Sequence, residues 1–189
     1  MQQATFFTAT YVEVVLPSAA AAAALLGQYR DPSRSQDGAL RLEVMRRVDR
    51  PNQLTVLAAW TDPGAFEAHL GTDHGRQLSE GLATMLAAPN DTRRHQRLSV
   101  GLARAGRRAS LAVVTHVDVV PAHKDNGAVA LGQLAEESRR HAGNLRLEVW
   151  QQIDRPNHFT VVETWSGRQR FDAHMMAARP GRFGPGWRR

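Results

Sequence analysis

SRSQDGALRLEVMRRVDRPNQLTVLAAWTDPGAFEAH, residues 33–69, returns 105 positions later as SRRHAGNLRLEVWQQIDRPNHFTVVETWSGRQRFDAH, residues 138–174. Over residues 33–70 and their copy, 18 of 38 aligned positions are identical with no gap. This period is too long for a solenoid unit, whose repeats run roughly 20–50 residues, so the pattern predicts two copies of one small domain. Each copy buries only a modest core alone, and packing of the two together is expected. The expected boundaries are residues 1–102 for the first repeat, 103–109 for a linker and 110–189 for the second repeat.

Within the repeated stretch, Leu40, Leu42 and Val44 alternate with Arg41, Glu43 and Met45, the period of a half-buried strand. Asp49-Arg50-Pro51-Asn52 is turn chemistry, with Pro51 holding its φ and Asn52 suited to a tight corner. Leu54, Val56, Ala58 and Trp60 then share one face of a returning strand, which completes a β-hairpin. Thr61-Asp62-Pro63 supplies an N-cap and a first-turn proline for a short helix carrying Phe66 and His69. In the second copy, Ser166 and Gln169 have the spacing of a capping box.

Upstream, residues 5–16 read as a strand and the alanine-dense residues 19–29 as a helix, which Asp31-Pro32 is expected to break. Downstream, Gly71-Thr72-Asp73 separates the short helix from a second one with Leu78, Leu82, Met85 and Leu86 on one face, stopped by Pro89-Asn90. Residues 92–101 read as a closing strand. The second copy repeats the plan with a strand over 111–120, a helix over 126–141 and a hairpin over 145–165. It is expected to lack the last helix and closing strand. Strand, helix, strand, strand, helix and a closing strand is the ferredoxin-like order, an α+β arrangement. The predicted fold is therefore two ferredoxin-like repeats packed as a dimeric α+β barrel within one chain.

Composition bounds the function. The chain is 42% hydrophobic and 22% charged, ordinary for a globular protein, and no apolar run reaches the ~20 residues of a membrane span. A cytoplasmic chain with no membrane partner is expected. Cysteine is absent, which removes disulfides, thiolate nucleophiles and thiolate metal sites. The net charge of +6 is nearly all arginine, with Lys124 the sole lysine. Basic clusters at Arg93-Arg94, residues 104–108 and Arg188-Arg189 lack the interleaved aromatics of a single-strand platform. They read as solvated surface and linker, and no nucleic-acid partner is expected. Glycine-rich nucleotide loops, H-E-x-x-H and G-x-S-x-G are also missing.

A long helix ending in Ser-Arg, then Gly, a hairpin with Asn in its turn, Glu-x-Trp and Phe-x-x-His resembles the antibiotic biosynthesis monooxygenase family. In this chain the elements are Ser138-Arg139, Gly143, Asn157, Glu163-Thr164-Trp165, Phe171 and His174, with a near-complete set in the first copy. The resemblance implies a dimeric α+β barrel, here fused into one chain. It also implies oxidation of a phenolic, anthrone- or quinol-type aromatic by dioxygen, with no cofactor and no metal. Such chemistry asks for an apolar aromatic pocket, a base and donors for a developing oxyanion. A haem-degrading branch would want a histidine about where Ser79 and Gly184 stand, and neither can ligate iron.

The catalytic candidates are His174, His69, Glu163 and His116, and the substrate-binding candidates are Trp165, Trp60, Tyr11, Phe171 and Phe66. The histidines titrate near neutral pH and suit proton transfer, though capping is an equal use for them. The tryptophans suit stacking on an aromatic, though closing a core is favoured. His69 and His74 would diverge on a continuous helix, so a metal pair is not expected. The copies differ where chemistry would sit: Glu163 stands against Ala58, His116 against Tyr11, and Asp118 against Glu13. Either copy is open as the live half. A non-catalytic small-molecule-binding or stress-response barrel is the alternative, and homo-oligomerisation is left open.

Overall fold

The computed structural model describes residues 3–101 and 109–177. The expected linker, all but its last residue, and the expected truncation of the second copy lie outside the described residues. The Cα framework divides into two compact units, Met1–Arg97 with Gln152–Asp154, and Leu98–Gln151 with Arg155–Arg189.

The first unit contains β1 (Phe6–Glu13), α1 (Ala19–Arg34), β2 (Ala39–Arg46), β3 (Gln53–Trp60), α2 (Pro63–Leu70), α3 (Asp73–Ala83) and the start of β4 (Asp91–Val100). Its antiparallel strands run in the order β2-β3-β1-β4, the ferredoxin-like order. One sheet face, carrying Phe6, Val12, Leu42, Leu54, Val56, Ala58 and Trp60, packs with Ala22, Leu26, Phe66 and Leu82 from the three helices. Each large apolar side chain fully buried there contributes about 1.5–3 kcal/mol.

The second unit contains β5 (Leu111–Asp118), α4 (Lys124–Ser138), β6 (Asn144–Gln152), β7 (His158–Trp165) and α5 (Arg168–Ala177), with its strands ordered β6-β7-β5. Leu131 and Ala135 of α4 close on Leu147, Val149, Phe159 and Val161. Both units are thus ferredoxin-like α+β repeats.

The repeated residues explain why the plan recurs. Gly38 and Gly143 take φ of 83° and 89°, which favours glycine. A Cβ at Gly38 would sit 2.5 Å from Ala65 Cβ, and one at Gly143 2.6 Å from Arg170 Cβ. Each glycine therefore lets the start of a strand approach the following short helix. Asn52 and Asn157 do not serve as left-handed corners, because no described non-glycine residue has a positive φ. Their Nδ2 atoms donate instead to Val14 O at 3.1 Å and Val119 O at 2.9 Å, tying the hairpin turn to the end of the first strand.

Helix boundaries differ from expectation, and α4 covers Lys124–Ser138 rather than 126–141. α1 continues through Pro32 to Arg34, since a proline in the last turn removes a single N–H. Ser33 Oγ donates to Tyr29 O at 2.6 Å, and Ser35 Oγ to Asp31 O at 3.2 Å, so side chains take up carbonyls at this helix end. α3 stops at Ala83 rather than at Pro89, because Val15 N donates to Met85 O and Ala87 N to Glu13 O, both at 2.8 Å, drawing the chain onto the end of β1.

The basic clusters divide similarly. Arg93 pairs with Asp91 at 2.8 Å and Arg94 with Glu67 at 2.9 Å, while residues 104–108 and 188–189 lie outside the described residues. No described helix is long and apolar enough to cross a membrane.

Candidate functional site

In the first unit the sheet and its helices leave a cavity of about 170 Å³. Period two along β1 and β3 decides what faces it: Thr8, Thr10 and Val12 from one strand, Val56, Ala58 and Trp60 from the other. Leu26 and Tyr29 of α1 and Phe66 of α2 add apolar and aromatic wall. Leu78, Ser79 and Leu82 of α3 close another side, and Asn90 and Thr92 of the β4 end complete it.

Trp60 is 1% exposed and its Nε1 donates to Thr8 Oγ1 at 3.1 Å, so the indole N–H is satisfied across the strand pair. Phe66 packs on it with ring centres 5.7 Å apart. Thr10 and Thr92 hydroxyls lie 3.0 Å apart. One must donate to the other, which leaves the second proton for another acceptor.

His69, at the end of α2, is 1% exposed with its ring 4.8 Å from that of Trp60. Its Nδ1 meets Gln36 Oε1 and its Nε2 meets the Tyr29 hydroxyl. The amide oxygen can only accept, so Nδ1 carries the proton and Nε2 accepts from tyrosine. Burial, reinforced by neighbouring His74, pulls the His69 pKa from 6.5 to about 4. Burial also raises that of Tyr29. Near neutral pH the pair is therefore a neutral imidazole holding a neutral phenol.

The expected divergence of His69 and His74 does not occur. The chain turns at Gly71 and Thr72, where Thr72 Oγ1 caps α3 at Gly75 N and donates to His69 O at 2.7 Å. The corner brings the two rings to 5.1 Å. Among the described residues no group of three His, Asp or Glu is arranged to hold a metal ion.

In the second unit His174, Trp165, Phe171 and Glu163 are brought together. Trp165 is fully buried, 6.0 Å from Phe171 and 4.8 Å from His174 between ring centres. Its Nε1 donates to Glu163 Oε2 at 2.9 Å, and that carboxylate lies 4.0 Å from His174 Nε2. His174 Nδ1 faces His141 Nδ1 at 2.8 Å. Burial raises the Glu163 carboxyl, while burial and then His141 lower His174.

Two candidates fall elsewhere. His116 is exposed and lies opposite Thr160, whereas Val113, Thr115 and Val117 are the β5 residues opposite Glu163, Val161 and Phe159. Odd and even positions point to opposite sheet faces, so His116 cannot orient Glu163 or act beside it. Tyr11 is likewise out of phase with Thr8, Thr10 and Val12 and does not line the cavity. Its ring lies under Arg93, 5.2 Å from the guanidinium carbon, and burial raises its hydroxyl pKa. Asp118 is engaged with His158 at 2.7 Å.

Sequence reasoning missed Tyr29, Gln36 and Thr8. A signal for Tyr29 was available: Ala19, Ala22, Leu26 and Ser33 are the buried positions of α1, and Tyr29 falls on the same three-four stripe. Gln36 aligns with His141, and each meets the histidine of its own repeat. Thr8 shares the inward phase of Thr10 and Val12.

The fold has close counterparts among solved structures. A candidate monooxygenase from Fusobacterium nucleatum superposes with a TM-score of 0.81 at 14% identity, over 94% of this chain and 83% of that one. Another, from Lactobacillus acidophilus, gives 0.75 at 13% identity with the same coverages. At these identities the likeness is one of fold. No curated protein matches the chain in sequence. A family profile does, twice: residues 6–80 and residues 110–179 each match it, and the chain belongs to the antibiotic biosynthesis monooxygenase family.

Proposed function

We propose that the chain is a cofactor-independent monooxygenase whose first repeat, residues 1–102, oxidises a small phenolic or quinol-type aromatic with dioxygen, the second repeat, residues 110–189, being its structural partner. The observation that carries this reading is the cavity of about 170 Å³ walled by Trp60 and Phe66 and bordered by Tyr29, whose hydroxyl engages His69. An apolar cavity of about 150 Å³ holds benzene. One substituted ring suits this volume better than a three-ring anthrone.

The groups support a defined sequence of steps. A substrate hydroxyl donates to Tyr29 Oη, and Tyr29 Oη donates to His69 Nε2. Gln36 holds the imidazole tautomer that makes Nε2 the acceptor. An imidazole with a pKa of about 4 does not ionise the phenol in advance, so the proton passes along this relay as the ring gives an electron to dioxygen, when the oxidised phenol is a far stronger acid. The resulting radicals join in a C–O bond, the relay returns its proton to the peroxide, and the hydroperoxide loses water to give the quinone. Every electron that dioxygen takes comes from the substrate: one oxygen atom enters the product and the other leaves as water. The free proton of the Thr10–Thr92 pair is a donor for charge developing on oxygen.

Oxygen uptake with a series of substituted hydroquinones, no cofactor added, tests the reading. Tyr29→Phe and His69→Ala should each slow uptake by about 100-fold or more, the usual contribution of a positioned acid or base. Unchanged oxygen across the series, with the same hydroquinones still raising the melting temperature, would assign the cavity to binding without catalysis.

A further inference from the structure

The two repeats satisfy the same buried tryptophan and histidine with different side chains. In the first, Trp60 Nε1 donates to Thr8 Oγ1 and His69 Nε2 accepts from Tyr29, while Ala58, on the cavity wall, leaves the space beside them open. In the second, the positions 105 residues on are Val113, Leu134 and Glu163. Val113 and Leu134 can neither donate nor accept. Glu163 Oε2 takes the Trp165 N–H at 2.9 Å and lies 4.0 Å from His174 Nε2. The carboxylate from β7 thus takes the indole N–H over from a strand hydroxyl, and stands beside, but beyond hydrogen-bond reach of, the imidazole nitrogen that a helix hydroxyl meets in the first copy.

The changes are coupled. Thr8 lies directly opposite Ala58 on the paired strands, and Val113 directly opposite Glu163. Losing the threonine alone would orphan a buried indole N–H, and adding the glutamate to the intact first-copy set would bury a carboxylate without a donor. Glu163 is itself 7% exposed, so its side chain fills space between sheet and helix rather than reaching solvent.

We infer that Glu163 is a built-in plug: it occupies in the second repeat the volume that the first repeat keeps for a ligand, so each chain binds one small aromatic, in the first repeat. The inference rests on the ligand-binding part of the function proposed above and not on the oxygen chemistry. The raised carboxyl pKa of Glu163 accords with a group seated among apolar side chains.

Calorimetric titration of the whole protein with hydroquinone under argon decides the matter. Wild type should bind one equivalent. Transplanting the first-copy set, Val113→Thr, Leu134→Tyr and Glu163→Ala together, should raise this to two. The reverse set, Thr8→Val, Tyr29→Leu and Ala58→Glu, should abolish binding while far-UV circular dichroism stays unchanged. Two equivalents on wild type, a folded first-set variant still binding one, or a reverse-set variant still binding would each overturn the plug. If the first-set variant does not fold, the reverse set alone decides. No binding by wild type overturns both the plug and the ligand-binding reading, whereas one equivalent without oxygen uptake overturns only the oxidation.

Discussion

Acid should unfold this protein in part through His69. The folded state holds that imidazole neutral down to about pH 4, whereas the unfolded chain takes up a proton near 6.5. Between those values the unfolded chain binds the extra proton, so stability is complete above 6.5 and falls as the pH descends towards 4. At about 1.4 kcal/mol per pH unit, the interval amounts to on the order of 3 kcal/mol. This is an upper bound, because water in the adjoining cavity would screen a charged imidazole. His74 adds repulsion, and Tyr29 and Gln36 are the other polar groups on the ring. The measurement is urea unfolding of wild type and His69→Gln at several pH values between about 7 and 4. Wild type should lose about 2–3 kcal/mol more than the variant over that range. The reasoning is refuted if the two proteins lose stability in parallel, or if the His69 ring protons titrate in the folded protein near 6.5.

Two further outcomes can be measured by denaturation. Thr8→Val keeps the shape of the β1 side chain but strips the acceptor from Trp60 Nε1, and should cost about 1–3 kcal/mol, with Thr8→Ser recovering most of it; equal stability of all three would show the indole finds another partner. Gly38→Ala combines a positive φ with a Cβ placed 2.5 Å from Ala65, and should cost about 2–4 kcal/mol, whereas Gly27→Ala, with open space around it inside α1, should be neutral or stabilising.

The fold could be read in the sequence because its determinants are local and stated twice. Alternation located the hairpin strands, Asp62 and Pro63 set the start of α2, and the shared Gly and Asn residues mark contacts made within each repeat. Helix ends were less legible. Pro32 was read as a breaker because the serine hydroxyls that support the end of α1 are not a propensity signal. The site was legible only in part. Trp60, Phe66 and His69 stood in the repeat, but the cavity also needs Tyr29 from α1 and Thr8 from β1, brought in by packing rather than by spacing. The mismatch of Ala58 and Glu163 was visible, yet its meaning depended on Val113 and Leu134, residues whose relevance only strand register and the helix stripe make clear. His116 and Tyr11 failed as candidates for the simplest of reasons, a strand phase that comparison of the two copies alone does not fix.

The bond pattern between Val15, Met85, Ala87 and Glu13, with the bridge of Val14 to Leu86, anchors the downstream end of α3 to the sheet. The upstream end rests on Thr72, whose bonds go to Gly75 and His69 at the corner with α2. α3 is thus a beam held at both ends, and Leu78, Ser79 and Leu82 are what it presents to the cavity. A substitution that loosens either fastening reaches the cavity wall without touching a residue of the cavity itself.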